Sequence, residues 1–557
     1  MPLDKETAIA HITYGWEELN NRVAEYPPWV LIGGTAVTIY TYIKLRKLLN
    51  RNDRPLHSRF LGYLISWARM LPAVEKQIQK ELAGISTDIV HSIHKYDKER
   101  KFITSIPPKG LTDEEIMALA NEYLSMGTFD VKGGRVSGAV YTDCSDKHID
   151  LLAQIFKKYA FSNPLHPDVF PGVRKMEAEI IRMVAKLYHG DEHVCGTLSS
   201  GGTESIMLAC LAYRNRAVAR GVSDPVIVVP VTAHAAFDKA AHLMGIRIVH
   251  VAVDKNNRVD LKALKRAISS DTCVIVGSAP NFPSGTIDDI VSISNLGLKY
   301  KVPVHVDACL GGFLIPFMEE AGFPLPLFDF RLPGVTSISC DTHKYGYSPK
   351  GSSVVLYKSP EYLHDQYFTV TEWTGGIYAT PTFAGSRSGL AIALTWATLV
   401  QFGHEQYVNR ARAIIETAKK LANEVQNTPG LVLAGASDVS VVSFRSNEYN
   451  IYAVADKLHE AGWNLNSLQN PDAVHFCMTY NQANDETLSA FVTDLRAACA
   501  EVASQPNKGG SSKTAAIYGT ASTIPDRSLV DDVTYVFLDA CYATPAKDAD
   551  ATIEESH

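Results

Sequence analysis

Between residues 172 and 360, six short apolar runs rich in β-branched residues (225–230, 246–253, 273–278, 302–306, 335–340 and 353–357) alternate with stretches of helical period. A strand that is apolar at every position must be covered on both faces, and the intervening helices are what can cover it. The pattern therefore predicts an α/β fold with a parallel or mostly parallel sheet. In such sheets ligand chemistry gathers beyond the strand ends. The polar residues that follow the runs are the first candidates for a site.

Outside that region the pattern changes. Residues 75–160 read as mostly helical, with Thr112-Asp113-Glu114-Glu115 as a capping-box-like start for a helix that continues to Met126. After Gly389 the period turns helical again, and apolar runs at 439–444 and near 475–478 flank a helix through Leu458, which predicts a smaller α+β domain. Residues 504–527, rich in Gly, Ser and Thr, read as a linker, and the acidic final residues as a disordered tail.

A chain of 557 residues exceeds what one core supports. A net charge of −7 over that length leaves no extended basic surface, which argues against nucleic acid as a partner. The nine cysteines show no C-x-x-C pair, and neither they nor the histidines group at metal-ligand spacing. This predicts reduced, cytosol-facing protein with no metal site.

Residues 27–43 (PPWVLIGGTAVTIYTYI) carry no charge, are edged by Trp29, Tyr40 and Tyr42, and are followed by Lys44, Arg46, Lys47, Arg51 and Arg54. That length is close to the lower limit for a bilayer-crossing helix, and the basic flank predicts a single N-terminal anchor with the bulk of the chain in the cytoplasm. A buried core helix is the alternative. The apolar run at 60–74, broken by Arg69 and Pro72, reads as an amphipathic helix.

Four features carry chemistry. Gly201-Gly202-Thr203-Glu204-Ser205 stands before a helix that runs to Arg220, so small residues and free helix-start amides, with the Thr203 hydroxyl at the cap, suit an anion such as a phosphate. His234 stands at the entry of a helix ending at Gly245, where it is either a cap or a ring that lies on a cofactor face. Asp307 closes an apolar strand, where a carboxylate needs a cationic partner. Finally, Asp341-Thr342-His343-Lys344-Tyr345-Gly346-Tyr347 follows the run at 335–340 and places a lysine at a strand end. A glycine turn, a histidine, a strand-end aspartate and a strand-end lysine, in that order, suit pyridoxal phosphate, with Lys344 as the amine that carries it.

These four features resemble the pyridoxal-phosphate-dependent decarboxylase family of the aspartate-aminotransferase fold (fold type I) over about residues 130–500. Within it the chain is most similar to the sphingosine-1-phosphate lyase family. The stretches that carry the likeness are Asn163-Pro164-Leu165-His166-Pro167-Asp168-Val169-Phe170-Pro171, Val306-Asp307-Ala308-Cys309-Leu310-Gly311-Gly312-Phe313, the Asp341 to Tyr347 motif with Lys350-Gly351, and Gly375-Gly376-Ile377-Tyr378-Ala379-Thr380-Pro381. The resemblance implies homodimers on the endoplasmic reticulum membrane with a cytosolic catalytic domain. These would cleave phosphorylated sphingoid bases to a long-chain aldehyde and phosphoethanolamine.

By the same resemblance Gly201, Gly202 and Thr203 hold the cofactor phosphate, with Ser386 from the partner subunit completing that site. His234 stacks on the ring, Asp307 pairs with its nitrogen, and His343 lies beside the lysine link. Tyr141, His166 and Lys350 surround the substrate head, Lys350 as a phosphate partner. Tyr378 is a proton carrier near the reacting centre, and Arg387 either binds an anion or makes a structural dimer pair. The segment near Tyr518 is similar to the family's C-terminal segment, which competes with the linker reading.

The organisation implied is a lumenal segment (1–26), an anchor (27–43), a juxtamembrane and helical segment (44–130), a large cofactor-binding domain (131–390), a small domain (391–540) and an acidic tail (541–557). The rival readings are an amino-acid decarboxylase on the same fold and a membrane-tethered scaffold without catalysis. Intact Lys344 and Asp307 disfavour the scaffold, and Lys350, His166 and the anchor disfavour the decarboxylase.

Overall fold

The computed structural model describes residues 21, 24, 26–50, 64, 67–97, 102–143, 145–509 and 527–544. The chain divides into two compact units, Met1–Leu56 and His57–His557.

In the first unit, residues 27–43 lie almost wholly within a helix, α1 (Pro28–Asn50). Among the described residues no helix is long and apolar enough to cross a membrane. The expected anchor falls short because Gly33, Gly34 and its threonines and tyrosines dilute the apolar stretch, and the same helix runs on through Lys44, Arg46 and Lys47.

The second unit begins with helices α2 (Pro72–His94), α3 (Asp113–Leu124), α4 (Asp146–Tyr159) and α5 (Pro171–Leu187). Of the run at 60–74, residues 60–63, 65 and 66 lie outside the described residues, and Pro72, with no amide hydrogen to lose, opens α2 within it. The capping box at α3 forms as expected. The Glu115 amide donates to Thr112 Oγ1 at 3.2 Å and the Thr112 amide to Glu115 Oε2 at 2.7 Å.

The centre of the unit follows as β1 (Cys195–Ser199), α6 (Gly202–Ala219), β2 (Val226–Pro230), α7 (Ala236–Met244), β3 (Arg247–Val251), α8 (Leu261–Ala267), β4 (Thr272–Ser278), α9 (Ile290–Tyr300), β5 (Val304–Asp307), β6 (Val335–Cys340) and β7 (Ser353–Tyr357). These strands form one sheet in the order β1-β7-β6-β5-β4-β2-β3. From β3 to β6 every pairing is parallel, whereas β7 runs antiparallel to both β6 and β1. A parallel return needs a crossover, usually a helix, and residues 341–352 between β6 and β7 contain none, so the chain turns back on itself. β1 is an addition to the strands expected from the sequence.

Alternate residues of the strands face two different cores. Val226, Val228, Ile338 and Leu356 belong to one, packed with Ile290 and Ile293 of α9 and Ile180 and Val184 of α5. Ile227, Val229, Val276 and Val355 belong to the other, packed with Leu208 and Tyr213 of α6 and Phe237 of α7. Each such buried aliphatic side chain contributes about 1.5–3 kcal/mol. The double burial accounts for the apolar residues on both faces of β2 and β4, whereas β6 also buries the hydroxyls of Thr336, Ser337 and Ser339.

The chain then continues through α10 (Pro360–His364), a two-stranded ribbon of β8 (Phe368–Val370) and β9 (Tyr378–Thr380), and the long α11 (Gly389–Gln426), which is kinked at Gly403 where φ is +63°. Next come β10 (Leu431–Leu433), β11 (Val441–Ser446), α12 (Ile451–Glu460), β12 (Asn466–Leu468), β13 (Ala473–Cys477), α13 (Asp485–Ser504) and α14 (Arg527–Tyr542). Strands β10-β11-β13-β12 form an antiparallel sheet, the expected α+β element, although it belongs to the same compact unit as the large sheet.

The end of the chain departs from expectation. α14 packs against α2, with Arg69 reaching both Glu75 (3.0 Å) and Asp532 (3.3 Å), so this helix joins the N-terminal helices and not the small sheet. α13 takes the first residue of the expected linker, and residues 510–526, with Tyr518, lie outside the described residues, as do 545–557 of the expected tail.

Candidate active site

The turn between β6 and β7 carries the lysine. Asp341 follows the last residue of β6 and is buried, with 1% of its surface exposed. Its Oδ2 lies 2.9 Å from Lys344 Nζ and 3.6 Å from His343 Nε2. Burial works against the Asp341 carboxylate, but Lys344 and His343 outweigh it and hold its pKa below the usual value. Burial likewise opposes the Lys344 ammonium, and Asp341 more than offsets this, so the amine is held above its ordinary range. The His343 imidazole is drawn below its usual value by burial, and its Nδ1 accepts from the Ser352 amide at 3.3 Å.

The start of α6 packs against this group. A Cβ on Gly201 would stand 3.3 Å from His343 Cε1, and one on Gly202 would stand 2.7 Å from Asp341 Oδ1 and 3.0 Å from Cys309 Sγ. Only a residue without a side chain fits at Gly202. The N-cap is Gly201, and no side chain caps the helix, so Thr203 does not have the capping role expected of it and is exposed. Glu204 instead turns back to accept from the amide (2.6 Å) and hydroxyl (2.7 Å) of Ser200.

Asp307 ends β5 beside β6, where its Oδ1 accepts from the Cys309 amide (3.0 Å) and from Ser339 Oγ (3.1 Å). His234 stands two residues before the first residue of α7, its Nδ1 accepting from the Ala236 amide at 3.0 Å, while its surface stays exposed. Lys350 Nζ lies 5.0 Å above the ring of Tyr141 and 3.4 Å from the His343 carbonyl oxygen. Its pKa is lowered, first by burial of the head group and then by Lys344. Tyr141 stands edge-on to Tyr345 at 4.9 Å, and burial pushes its phenol well above the usual range, so it remains a proton donor.

A second group lies apart from the first. Asn163 Oδ1 accepts from the Leu165 amide (3.1 Å) and the Arg387 amide (3.3 Å), and its Nδ2 donates to Ser386 Oγ at 3.0 Å. The Arg387 guanidinium is held in a two-pronged pair with Glu177, Nη2 to Oε2 at 3.0 Å, and both side chains are largely buried. Arg387 thus makes an ion pair within the chain, which is neither of the two roles expected from the sequence. His166 is exposed in the same turn, its carbonyl accepting from Val169 and Phe170. Tyr378 lies on the ribbon, its ring 6.0 Å from that of Trp373 and its hydroxyl against Gly385. Among the described residues, no hydrogen bond, ion pair or ring contact joins Ser386, Arg387, His166 or Tyr378 directly to Lys344.

The residues at the sheet edge suit pyridoxal phosphate. Among the buried polar atoms without a partner in the described residues, Thr232 Oγ1, Ser278 Oγ and Asp341 Oδ1 lie at or just beyond the ends of β2, β4 and β6. Unpartnered buried polar atoms are costly, and their convergence on the ligand edge of an α/β sheet suits a polar ligand. An amine at Lys344, a carboxylate at Asp307 and helix-start amides behind a Gly-Gly step supply, in turn, a nucleophile for an aldehyde, an acceptor for a protonated pyridine nitrogen and donors for a phosphate. Asp341 was not assigned a role from sequence. Its spacing of three residues from Lys344, directly after a buried strand, is the signal that could have found it.

Fold and site together define a pyridoxal-phosphate-dependent enzyme of the decarboxylase-like fold, and residues 137–447 match the pyridoxal-dependent decarboxylase conserved domain. The chain is 44% identical to sphingosine-1-phosphate lyase 1 of Rattus norvegicus over 540 residues, 97% of this chain and 94% of the relative. It is 41% identical to the sphingosine-1-phosphate lyase of Saccharomyces cerevisiae over 86% of this chain and 82% of that one. The solved sphingosine-1-phosphate lyase of Burkholderia pseudomallei superposes with a TM-score of 0.70 at 40% identity, covering 72% of this chain and 94% of that structure. A Lactobacillus brevis glutamate decarboxylase, at 21% identity and a TM-score of 0.64, shares the fold. The chain belongs to the sphingosine-1-phosphate lyase family.

Proposed function

We propose that the protein cleaves the Cα–Cβ bond of phosphorylated sphingoid bases by retro-aldol chemistry, releasing a long-chain aldehyde and phosphoethanolamine. The observation that carries this reading is the likeness to lyases of that name along nearly the whole chain. The second cation near Lys344 supports it, since Lys350 is available to a substrate phosphate while Lys344 is committed to the cofactor. The chemistry that pyridoxal phosphate supplies here is that of an electron sink for the pair left at Cα.

The chain's own residues do the rest. Lys344 would hold the cofactor by its amine, the amides at the start of α6 would bind its phosphate, Asp307 would pair with the pyridine nitrogen, and His234 and His343 would lie beside the ring. Lys350 binds the substrate phosphate above Tyr141 as a charge-assisted pair. His166 and Tyr378 approach the reacting centre, and Ser386 completes the cofactor phosphate site, in a homodimer whose sites draw on both subunits. Their placement away from Lys344 within one chain supports a shared site. A base takes the proton of the C3 hydroxyl as the aldehyde forms.

In this reading α1 attaches the enzyme to the endoplasmic reticulum membrane, with the catalytic unit in the cytosol. The exposed Trp29, Ile32, Val37, Ile39, Tyr40 and Tyr42 and the basic residues that follow support it. Incubation of the purified protein with a phosphorylated sphingoid base, followed by mass spectrometry, is expected to yield aldehyde and phosphoethanolamine in equal amounts. Carbon dioxide from an amino acid, with no aldehyde, would instead establish the decarboxylase reading.

A further inference from the structure

We propose that Asp341 is a positioning residue that keeps the Lys344 amine protonated and aimed, so that Lys344 returns the proton to the carbon left with the electron pair after bond cleavage. The inference rests on the lyase reading above. Asp341 lies 2.9 Å from Lys344 Nζ, is 1% exposed, and has the start of α6 close against it, where a Cβ on Gly202 would stand 2.7 Å from its Oδ1.

The other titratable groups facing Lys344 are Tyr141, Cys309, His343, Lys350 and Cys477, the last a thiol that burial keeps protonated. Burial keeps the phenol of Tyr141 and the thiol of Cys309 protonated and neutral, and favours a neutral His343 ring. Lys350 contributes a positive charge, which works against a second ammonium. Asp307 stands one hydrogen bond further off, on the Cys309 amide. Among the described residues, Asp341 is the acid in hydrogen-bond contact with the amine, so it governs whether Lys344 carries its proton.

The proton count closes. The C3 hydroxyl gives its proton to a base, the C2–C3 pair passes to C2, and C3 becomes the aldehyde carbon. A Lys344 Nζ–H bond then breaks as a C2–H bond forms. This leaves a neutral amine, the form that can take the cofactor back.

The test follows cofactor loading, independent of any substrate. Cofactor-free enzyme is mixed with pyridoxal phosphate across a pH series, and the link is fixed with borohydride and measured on the Lys344 peptide. Because only the neutral amine attacks, the wild-type initial rate is expected to rise about tenfold per unit between roughly pH 7 and 9 without a plateau. Removing the charge with Asp341→Asn should shift that profile down by about 1–3 pH units. In single turnovers, Asp341→Asn should release aldehyde at the wild-type rate but phosphoethanolamine at least about tenfold more slowly.

Coincident profiles for wild type and Asp341→Asn would overturn the proposal, as would equal slowing of both products. If Asp341→Asn does not fold, the wild-type profile decides alone: a plateau below pH 8 refutes it. Absence of aldehyde from the wild type would refute the lyase reading, and the loading profile would still report on Asp341 and Lys344.

Discussion

Lys344 and Lys350 are six residues apart in one turn, and their surroundings set them different tasks. Lys344 is pinned to a buried carboxylate, whereas Lys350 lies over an aromatic ring near the surface with its charge opposed by burial and by Lys344. A cation in that state gains by meeting an anion. Truncation of Lys350 to alanine should therefore weaken kcat/KM for the phosphorylated base roughly 10- to 100-fold, the loss of a hydrogen bond to a charged group, while the Lys344-linked cofactor spectrum stays intact. An unchanged kcat/KM would remove Lys350 from the substrate site. Lys344 and Asp307 were legible in the sequence because each is a polar residue at the end of an apolar run. The Asp341 contact was not read, because it depends on how the turn folds back over its own first residue.

At the scale of the element, the start of α6 and the β6–β7 turn form one structure. A Cβ at Gly202 would stand 2.7 Å from Asp341 Oδ1 and 2.8 Å from Oδ2, and Asp341 is itself tied to Lys344. Gly202→Ala should push the two apart and weaken cofactor binding roughly 5- to 150-fold, taking an overpacking cost of about 1–3 kcal/mol. Titration of the cofactor-free variant with pyridoxal phosphate measures this, and wild-type affinity would show that the contact is slack. The strands themselves were easy to read from sequence because both faces are buried, and β6 and β7 fall on the expected residues. The reversed direction of β7 was not, since an apolar run carries no sign of direction. β1 escaped because Cys195-Gly196-Thr197-Leu198-Ser199 holds too few β-branched residues to stand out.

At the scale of the whole molecule, residues 57–557 form a compact unit by themselves, and α14 closes it against α2. Removal of residues 1–54 should therefore leave a folded, cofactor-loaded enzyme with activity close to that of the full chain, recovered in the soluble fraction. A truncated protein that stayed wholly with membranes would contradict the role given to α1. The pairing of α14 with α2 was hidden from sequence because nearly the whole chain separates them and neither helix carries a mark of its partner. Three polar atoms left unpartnered at the strand ends, a glycine step and a strand-end lysine make one cofactor site of these distant segments. Borohydride reduction of the purified holoenzyme followed by peptide mass spectrometry tests that site directly. Cofactor fixed to Lys344 is the predicted result, and cofactor on another lysine, or on none, would contradict it.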